Sequence, residues 1–226
     1  MAGARAKKCP PANLSGRCAF SCFRSRTSPM RHLSCPSCGN RVYFENFGCL
    51  ACGAQFAFAP ERGKMVALAE GAAAACANRT QFVCNWTTAA NEPLCRSCRL
   101  NDVIPNLAFA GNLERWRRIE QAKRRVVHDV IRLGLPIEPR IAGEADGLAF
   151  QFLSAELAAA PVMTGHDCGL VTLDIAEADD AIREQRRAHM GEPYRTLVGH
   201  FRHELAHYYF ERLVLNSGDI GACRFV

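Results

Sequence analysis

The chain has 226 residues, of which 49% are hydrophobic and 22% charged, a composition typical of a soluble folded protein with one or two domains. No segment approaches the roughly 18 consecutive apolar residues of a transmembrane helix, which argues against a membrane-spanning protein. The net charge of +6 comes entirely from residues 1–29, which hold six Lys or Arg side chains and no acidic residue. Because the rest of the chain is neutral, the basic pI does not indicate nucleic-acid binding.

Residues 1–29 are rich in Pro, Ser and Arg and have neither helical nor strand periodicity. They lack the apolar core of a secretory signal, and they lack the amphipathic pattern that a transit peptide would require. We therefore expect a disordered tail, or a start codon assigned upstream of the true one at Met30. The absence of a secretory signal predicts a cytoplasmic protein.

Two CxxC motifs follow the leader, one formed by Cys35 and Cys38 and the other by Cys49 and Cys52. The ten residues between them, GNRVYFENFG, contain strand-forming residues, and we expect them to form a short hairpin. A hairpin would bring the two motifs opposite each other, so that four thiolates surround one tetrahedral Zn²⁺ at ~2.3 Å. The spacing therefore predicts a zinc ribbon.

A second set of cysteines has the spacing C-x7-C-x10-C-x2-C. Its members are Cys76, Cys84, Cys95 and Cys98. We predict a second structural zinc site with four cysteine ligands here. Disulfide bonds are the alternative, and the absence of a secretory signal argues against them. Cys168 and Cys223 stand alone and are interpreted as buried or free thiols.

A long amphipathic helix is predicted from Asn112 to about Gly134, because apolar residues recur there at helical spacing. Its other face is basic. We interpret this face as solvated rather than as a phosphate-binding surface, since acidic residues dilute its charge. The basic residues are Arg115, Arg117, Arg118, Lys123, Arg124 and Arg125.

Two strands are predicted beyond this helix, at 148–153 and 169–175, followed by a charged helix at 176–190. The second strand, GLVTLDI, could provide an edge for an extended substrate. A final helix is expected to begin near Pro193, a residue favoured in the first turn, and to run to about Asn216.

The last predicted helix carries the motif HELAH, with His203, Glu204 and His207. Two histidines four residues apart lie on one helical face and can bind one Zn²⁺ through neutral imidazoles. The intervening glutamate can then act as general base toward a water molecule. The pattern predicts a catalytic zinc site for the hydrolysis of a peptide or similar acyl bond. We interpret His128, His166 and His200 as non-ligands.

A catalytic zinc needs three protein ligands. The candidates for the third are Glu211, one helical turn beyond His207, and Asp219 or Cys223 in the tail. Glu211 has the least strained spacing, although three ligands along one helix surround a tetrahedral ion poorly.

Five segments of the sequence together resemble a family of bacterial proteins with an N-terminal zinc ribbon and a zinc-binding metallopeptidase domain. They are MRHLSCPSCGNRVYFENFGCLACG, CNW with PLCRSCRLND, ERWRRIEQAKRRVV, TGHDCGLVTLDIAEAD and MGEPYRTLVGHFRHELAHYYFERLV. The resemblance implies zinc ligation by His203 and His207 and catalysis by Glu204. It also supports the ribbon ligands and strengthens the second cysteine set.

The resemblance implies an α+β fold, with a small β zinc ribbon followed by a zincin-like domain that carries the HExxH helix. We expect a leader at 1–29, a ribbon region with two four-cysteine sites at 30–105 and a metallopeptidase domain at 106–226. Family members continue beyond the HExxH helix into a region that offers an acidic ligand. We therefore expect this chain to be incomplete at its C-terminus.

Two functions remain open from the sequence. The first is a zinc metallopeptidase with two structural zinc ions and one catalytic zinc ion, acting on a peptide or protein. The second is a non-catalytic ribbon adaptor that binds a protein or a nucleic acid, with a vestigial HExxH site. The neutral charge of residues 30–226 argues against the nucleic acid.

Overall fold

The computed structural model describes residues 32–68, 74–141, 147–154, 162, 164–190 and 196–215. The predicted leader lies outside the described residues, as do Pro193, Asp219 and Cys223. A cysteine-rich β region comes first and a mixed region of helices and strands follows, which confirms the predicted α+β class. No helix in the described ranges is both long enough and apolar enough to cross a membrane.

Two small antiparallel hairpins form the first part of the fold. Strand β1 (Leu33–Ser34) pairs with β2 (Arg41–Val42), and β3 (Phe56–Ala59) pairs with β4 (Lys64–Ala67). All four residues of β3 are buried, because this strand packs under the indole ring of Trp86. The hairpins therefore rest on the core through β3.

The two CxxC motifs lie in turns and not at the ends of a shared hairpin. Cys35 and Cys38 lie between β1 and β2, and the second motif lies in a turn flanked by the bridge between Gly48 and Gln55. The expected hairpin within residues 39–48 is therefore wrong. The physical reason is that a tight turn directs backbone N–H groups at the sulfur atoms, so the strands flank each motif.

A four-stranded sheet forms the second part, with the order β5-β6-β8-β7. Its strands are β5 (Asn101–Val103), β6 (Ala149–Leu153), β7 (Gly165–Asp167) and β8 (Leu170–Asp174). The first, second and fourth strands along the chain are parallel, and β7 is antiparallel to β8 at the edge. The strands predicted at 148–153 and 169–175 are confirmed to within one residue at each end.

The expectation that GLVTLDI forms a sheet edge is wrong. β8 pairs with β6 on one side and with β7 on the other, so β7 is the edge strand. A two-residue turn at Cys168 and Gly169 folds β7 back onto β8, and both residues have positive φ, 47° and 84°. Such turns match the twist of the strands that they join.

Three α-helices complete the described fold. They are α1 (Asn112–Arg132), α2 (Asp180–Met190) and α3 (Leu197–Phe210), and a π-helical turn at Glu211–Leu215 continues α3. A 3₁₀ turn at Ile175–Ala178 precedes α2 within the predicted helix at 176–190. Thr196 caps α3, since its hydroxyl accepts a hydrogen bond from the Gly199 amide at 3.0 Å. The last helix thus begins at Leu197 and not near Pro193.

The basic face of α1 is only partly solvated. Arg118 and Arg125 are exposed, as predicted, but Lys123 and Arg124 are buried. The prediction of a solvated face is wrong for these two residues because β5 and β6 cover Lys123 and the cysteine-rich region covers Arg124. For example, Arg124 donates a hydrogen bond to the carbonyl of Val83.

One hydrophobic core extends through both parts of the fold. It contains Trp86 from the cysteine-rich region and Trp116 from α1, each almost fully buried. Strand β5 lies within the predicted ribbon region but pairs with β6 of the following region. The domain boundary between 30–105 and 106–226 stays a prediction, and the two regions share packing surfaces and a sheet.

We predict that Gly169→Ala destabilises the protein by several kcal/mol. A Cβ atom at this position would lie 2.1 Å from the carbonyl oxygen of Gly147, and φ is already positive. Gly63→Ala is the matched control, since φ there is +59° and no atom lies near the new Cβ. We expect it to lower the free energy of unfolding by about 1 kcal/mol. Thermal denaturation of both variants measures the loss of stability. An equal loss in the two variants would contradict the prediction.

Candidate metal sites

The structure brings together the four sulfur atoms of the first cysteine set. Sγ of Cys35 lies 3.7 Å from that of Cys52, and Sγ of Cys38 lies 3.6 Å from that of Cys49. All four sulfur atoms lie within 4.8 Å of one another. Four ligands at ~2.3 Å from a tetrahedral zinc would be about 3.8 Å apart. The first set therefore has the dimensions of a zinc site.

Backbone amides favour the thiolate form of the first cysteine in each motif. Hydrogen bonds from the Cys38 and Ser37 N–H groups lower the pKa of Cys35 to about 6. The Cys52 and Ala51 amides likewise lower the pKa of Cys49. Since zinc binds thiolates, these turns prepare the sulfur atoms for the metal.

The second cysteine set also converges, and it is fully buried. Cys76, Cys84, Cys95 and Cys98 are each at most 1% exposed, and their sulfur atoms lie within 4.8 Å of one another. The Sγ atoms of Cys84 and Cys95 are 3.6 Å apart, again close to a tetrahedral edge. Burial raises the pKa of the Cys84 thiol, so a cation is needed to hold four thiolates in this environment.

The disulfide alternative is not supported at the second set, because its four cysteines are free thiols, as are the four of the first set. Cys168 differs, since it is disulfide-bonded and its partner is not among the described residues. The interpretation of Cys168 as a free or buried thiol is therefore wrong. Its position in the tight turn before Gly169 gave no sequence signal for pairing.

The HExxH motif occupies the middle of α3, as predicted. The Nε2 atoms of His203 and His207 are 3.1 Å apart, and both side chains are exposed on one face of the helix. Two nitrogen ligands at ~2.0–2.1 Å from a tetrahedral zinc would be about 3.4 Å apart. Glu204 points to the buried side and is 8% exposed. The two imidazoles therefore fit a shared metal ion.

A third histidine lies beside this motif, which the sequence did not indicate. His166, on the edge strand β7, stacks its ring nearly parallel to that of His207 with the centroids 6.4 Å apart. Its Nε2 accepts a hydrogen bond from the Gly169 amide at 2.8 Å, and its Nδ1 lies 4.0 Å from a carboxylate oxygen of Glu211. Burial lowers the pKa of His166, and the charges of Glu211 and Glu204 oppose this shift.

The other two histidines lie elsewhere. His200 faces Glu177 at 3.7 Å, and His128 packs against the rings of Phe44 and Phe58. The one sequence signal for the position of His166 is the turn at Asp-Cys-Gly, which pairs β7 with β8. That β7 then lies beside α3 is a tertiary contact.

Among the described residues, only the two cysteine sets place three or more donor atoms around one point. Glu211, the favoured third ligand, lies on the π-helical turn and faces His166. Asp219 and Cys223 are outside the described residues. The roles of His203, Glu204 and His207 therefore stay predictions.

An α+β region with an HExxH helix, preceded by a cysteine-rich ribbon, is the arrangement of a ribbon-bearing zinc metallopeptidase-type protein. Residues 112–226 match the family described as "Putative zinc-binding metallo-peptidase", and residues 32–109 match a zinc-ribbon domain. The chain belongs to this zinc-binding metallopeptidase family, which confirms the resemblance of the sequence motifs.

The chain is also similar to uncharacterized proteins of Mycobacterium bovis and of two Mycobacterium tuberculosis strains. Each is 45% identical over 193 residues, which cover 84% of this chain and 56% of the relative. The chain thus spans about half the length of these relatives. No solved structure matches it.

We predict that a chelator removes metal from the first cysteine set before the second. Cys38 and Cys52 are exposed, whereas every cysteine of the second set is buried. In the ¹¹³Cd-loaded protein each set should give its own NMR resonance, assigned with a Cys38→Ser variant. The resonance of the first set should disappear first on addition of EDTA, and the reverse order would contradict the prediction.

Proposed function

We propose that this protein is a zinc-dependent peptidase whose ribbon holds two structural zinc ions. The observation that carries the proposal is the 3.1 Å approach of the His203 and His207 Nε2 atoms, with Glu204 next to them in a metallopeptidase-family helix. The two imidazoles are donors that zinc prefers, and a third protein ligand would complete the usual catalytic set. Bound zinc would supply Lewis acidity to the scissile carbonyl and to a water molecule.

Glu204 is the proposed general base. Its carboxylate takes the proton from the attacking water and passes it to the leaving amine, so that the amine departs uncharged. The buried position of Glu204 restricts competing solvent, and its position next to His203 on the helix keeps it close to the proposed metal ligands. His166 and Tyr208 form the adjacent wall, with their rings 6.2 Å apart.

The edge strand β7 is the proposed substrate platform. It packs against α3, and in the described ranges no strand pairs with its outer side. An extended peptide could add to this edge through main-chain hydrogen bonds and pass beside His203 and His207. The platform is therefore β7 rather than GLVTLDI, which lies inside the sheet.

We predict that Glu204→Gln lowers the rate of hydrolysis by about 10²- to 10⁴-fold, because the amide cannot accept the proton. Hydrolysis of a peptide library, followed by mass spectrometry with the zinc-loaded protein, gives the measurement. Glu184→Gln is the matched control, since Glu184 is exposed on α2 and pairs only with Arg187 in the described contacts. Failure of the unsubstituted protein to cleave any peptide, or full activity of Glu204→Gln, would overturn the proposal.

The combined change His203→Ala and His207→Ala should lower the zinc content by about one ion per chain, because both ligands of the helical site are lost. Elemental analysis of the purified protein measures this. Glu204→Gln should keep the full content, since that residue is not proposed as a ligand. An unchanged content in the double variant would show that the helix holds no zinc.

A further inference from the structure

Two cationic residues of α1 are buried beside the second cysteine set. Lys123 is fully buried, and Arg124 is 3% exposed. Lysine and arginine are almost never fully buried unless their charge is compensated, because removing an ion from water costs several kcal/mol. These two neighbouring cations therefore require a negative partner inside the protein.

Glu120 is one such partner, but it compensates only one charge. Its carboxylate accepts a hydrogen bond from the Lys123 ammonium at 2.8 Å, and both side chains are fully buried. The ammonium also donates to the side-chain oxygen of Asn101 and lies over the rings of Phe150 and Phe152, at 5.3 and 5.5 Å. The second charge, on Arg124, remains.

Glu120 leads directly to the second cysteine set. Its other carboxylate oxygen is 3.9 Å from Sγ of Cys98. Arg124 also approaches this set, because it donates to the carbonyl of Val83, the residue before Cys84. Its Nε has no hydrogen-bond partner among the described residues. Both cations thus lie beside groups that adjoin the second cysteine set, Lys123 through Glu120 and Arg124 through Val83.

The charge of a loaded site explains this arrangement. Four thiolates around one Zn²⁺ carry a net charge of −2, and Glu120 adds a further −1 beside Cys98. At the first set, water can screen such charge through the exposed Cys38 and Cys52. The second set has no exposed cysteine, so buried cations must do this instead.

We propose that Lys123 and Arg124 are the internal counter-charges of the second zinc site. The inference rests on the zinc occupancy of this set under the proposed function. It also makes zinc part of the packing of the sheet: Asn101, the first residue of β5, donates to Glu120 at 2.8 Å, and the rings under Lys123 belong to β6. Metal at the second set therefore stabilises the junction of α1, β5 and β6.

The test compares Lys123→Met with Glu120→Gln. Removing the cation leaves Glu120 unopposed beside the thiolates, and should weaken metal binding at the second set on the order of tenfold or more. Removing the carboxylate charge leaves Lys123 to face the thiolates, so binding should stay equal or become tighter. A purely structural ion pair predicts that both variants weaken binding alike.

The measurement is EDTA competition in the full ¹¹³Cd-loaded chain, with the resonance of each cysteine set followed separately. The first set serves as an internal reference and should not change. Arg132→Met is the matched control, because Arg132 is an exposed cation on the same helix. Equal effects of Lys123→Met and Glu120→Gln, or an unchanged second set in Lys123→Met, would overturn the inference.

A second pair of variants covers the case in which Lys123→Met does not fold. Arg124→Lys keeps the charge and should retain metal at the second set. Arg124→Met should weaken metal binding at the second set about tenfold. Equal behaviour of the two would overturn the inference. If the unsubstituted chain gives no resonance for the second set, the proposed zinc site itself fails, and this result is distinct from the others.

Discussion

The convergence of four buried cysteine sulfurs is the constraint on which the rest of this fold depends. The hairpins of the first region are two to four residues per strand, which is too little apolar area for independent stability. The second cysteine set closes this region against α1, and the 3₁₀ turn Cys98–Leu100 leads directly into β5. The ribbon and the sheet are therefore joined by packing around one set of sulfur atoms.

The helix with the HExxH motif packs on the same face of the sheet as α1. Phe201 of α3 packs against Phe150 and Phe152 of β6, with ring centroids 5.6 and 6.2 Å apart. This contact orients the helix so that His203 and His207 face outward beside β7. The two helices thus meet over one face of β6, because the rings of Phe150 and Phe152 contact both Lys123 of α1 and Phe201 of α3.

Local spacing was enough to predict the metal sets and the helix motif. A CxxC motif forces two sulfur atoms to one side of a turn, and histidines four apart share a helical face whatever surrounds them. The prediction of a hairpin inside residues 39–48 was wrong, because the chain forms a tight turn at each CxxC motif and the short strands lie on either side of these turns. The burial of Lys123 was missed because helical periodicity predicts which residues share a face of the helix. It does not predict which other segments pack over that face.

The sequence by itself therefore determined the α+β class, the family, the members of both cysteine sets and the position of the HExxH helix. These depend on residues close together in the chain, whose geometry is set by the backbone. Only the tertiary structure decided that β7 is the sheet edge, that His166 lies beside His207 and that the second cysteine set is enclosed with two cations. Each of these joins segments distant in sequence, and such contacts arise from packing rather than from local spacing.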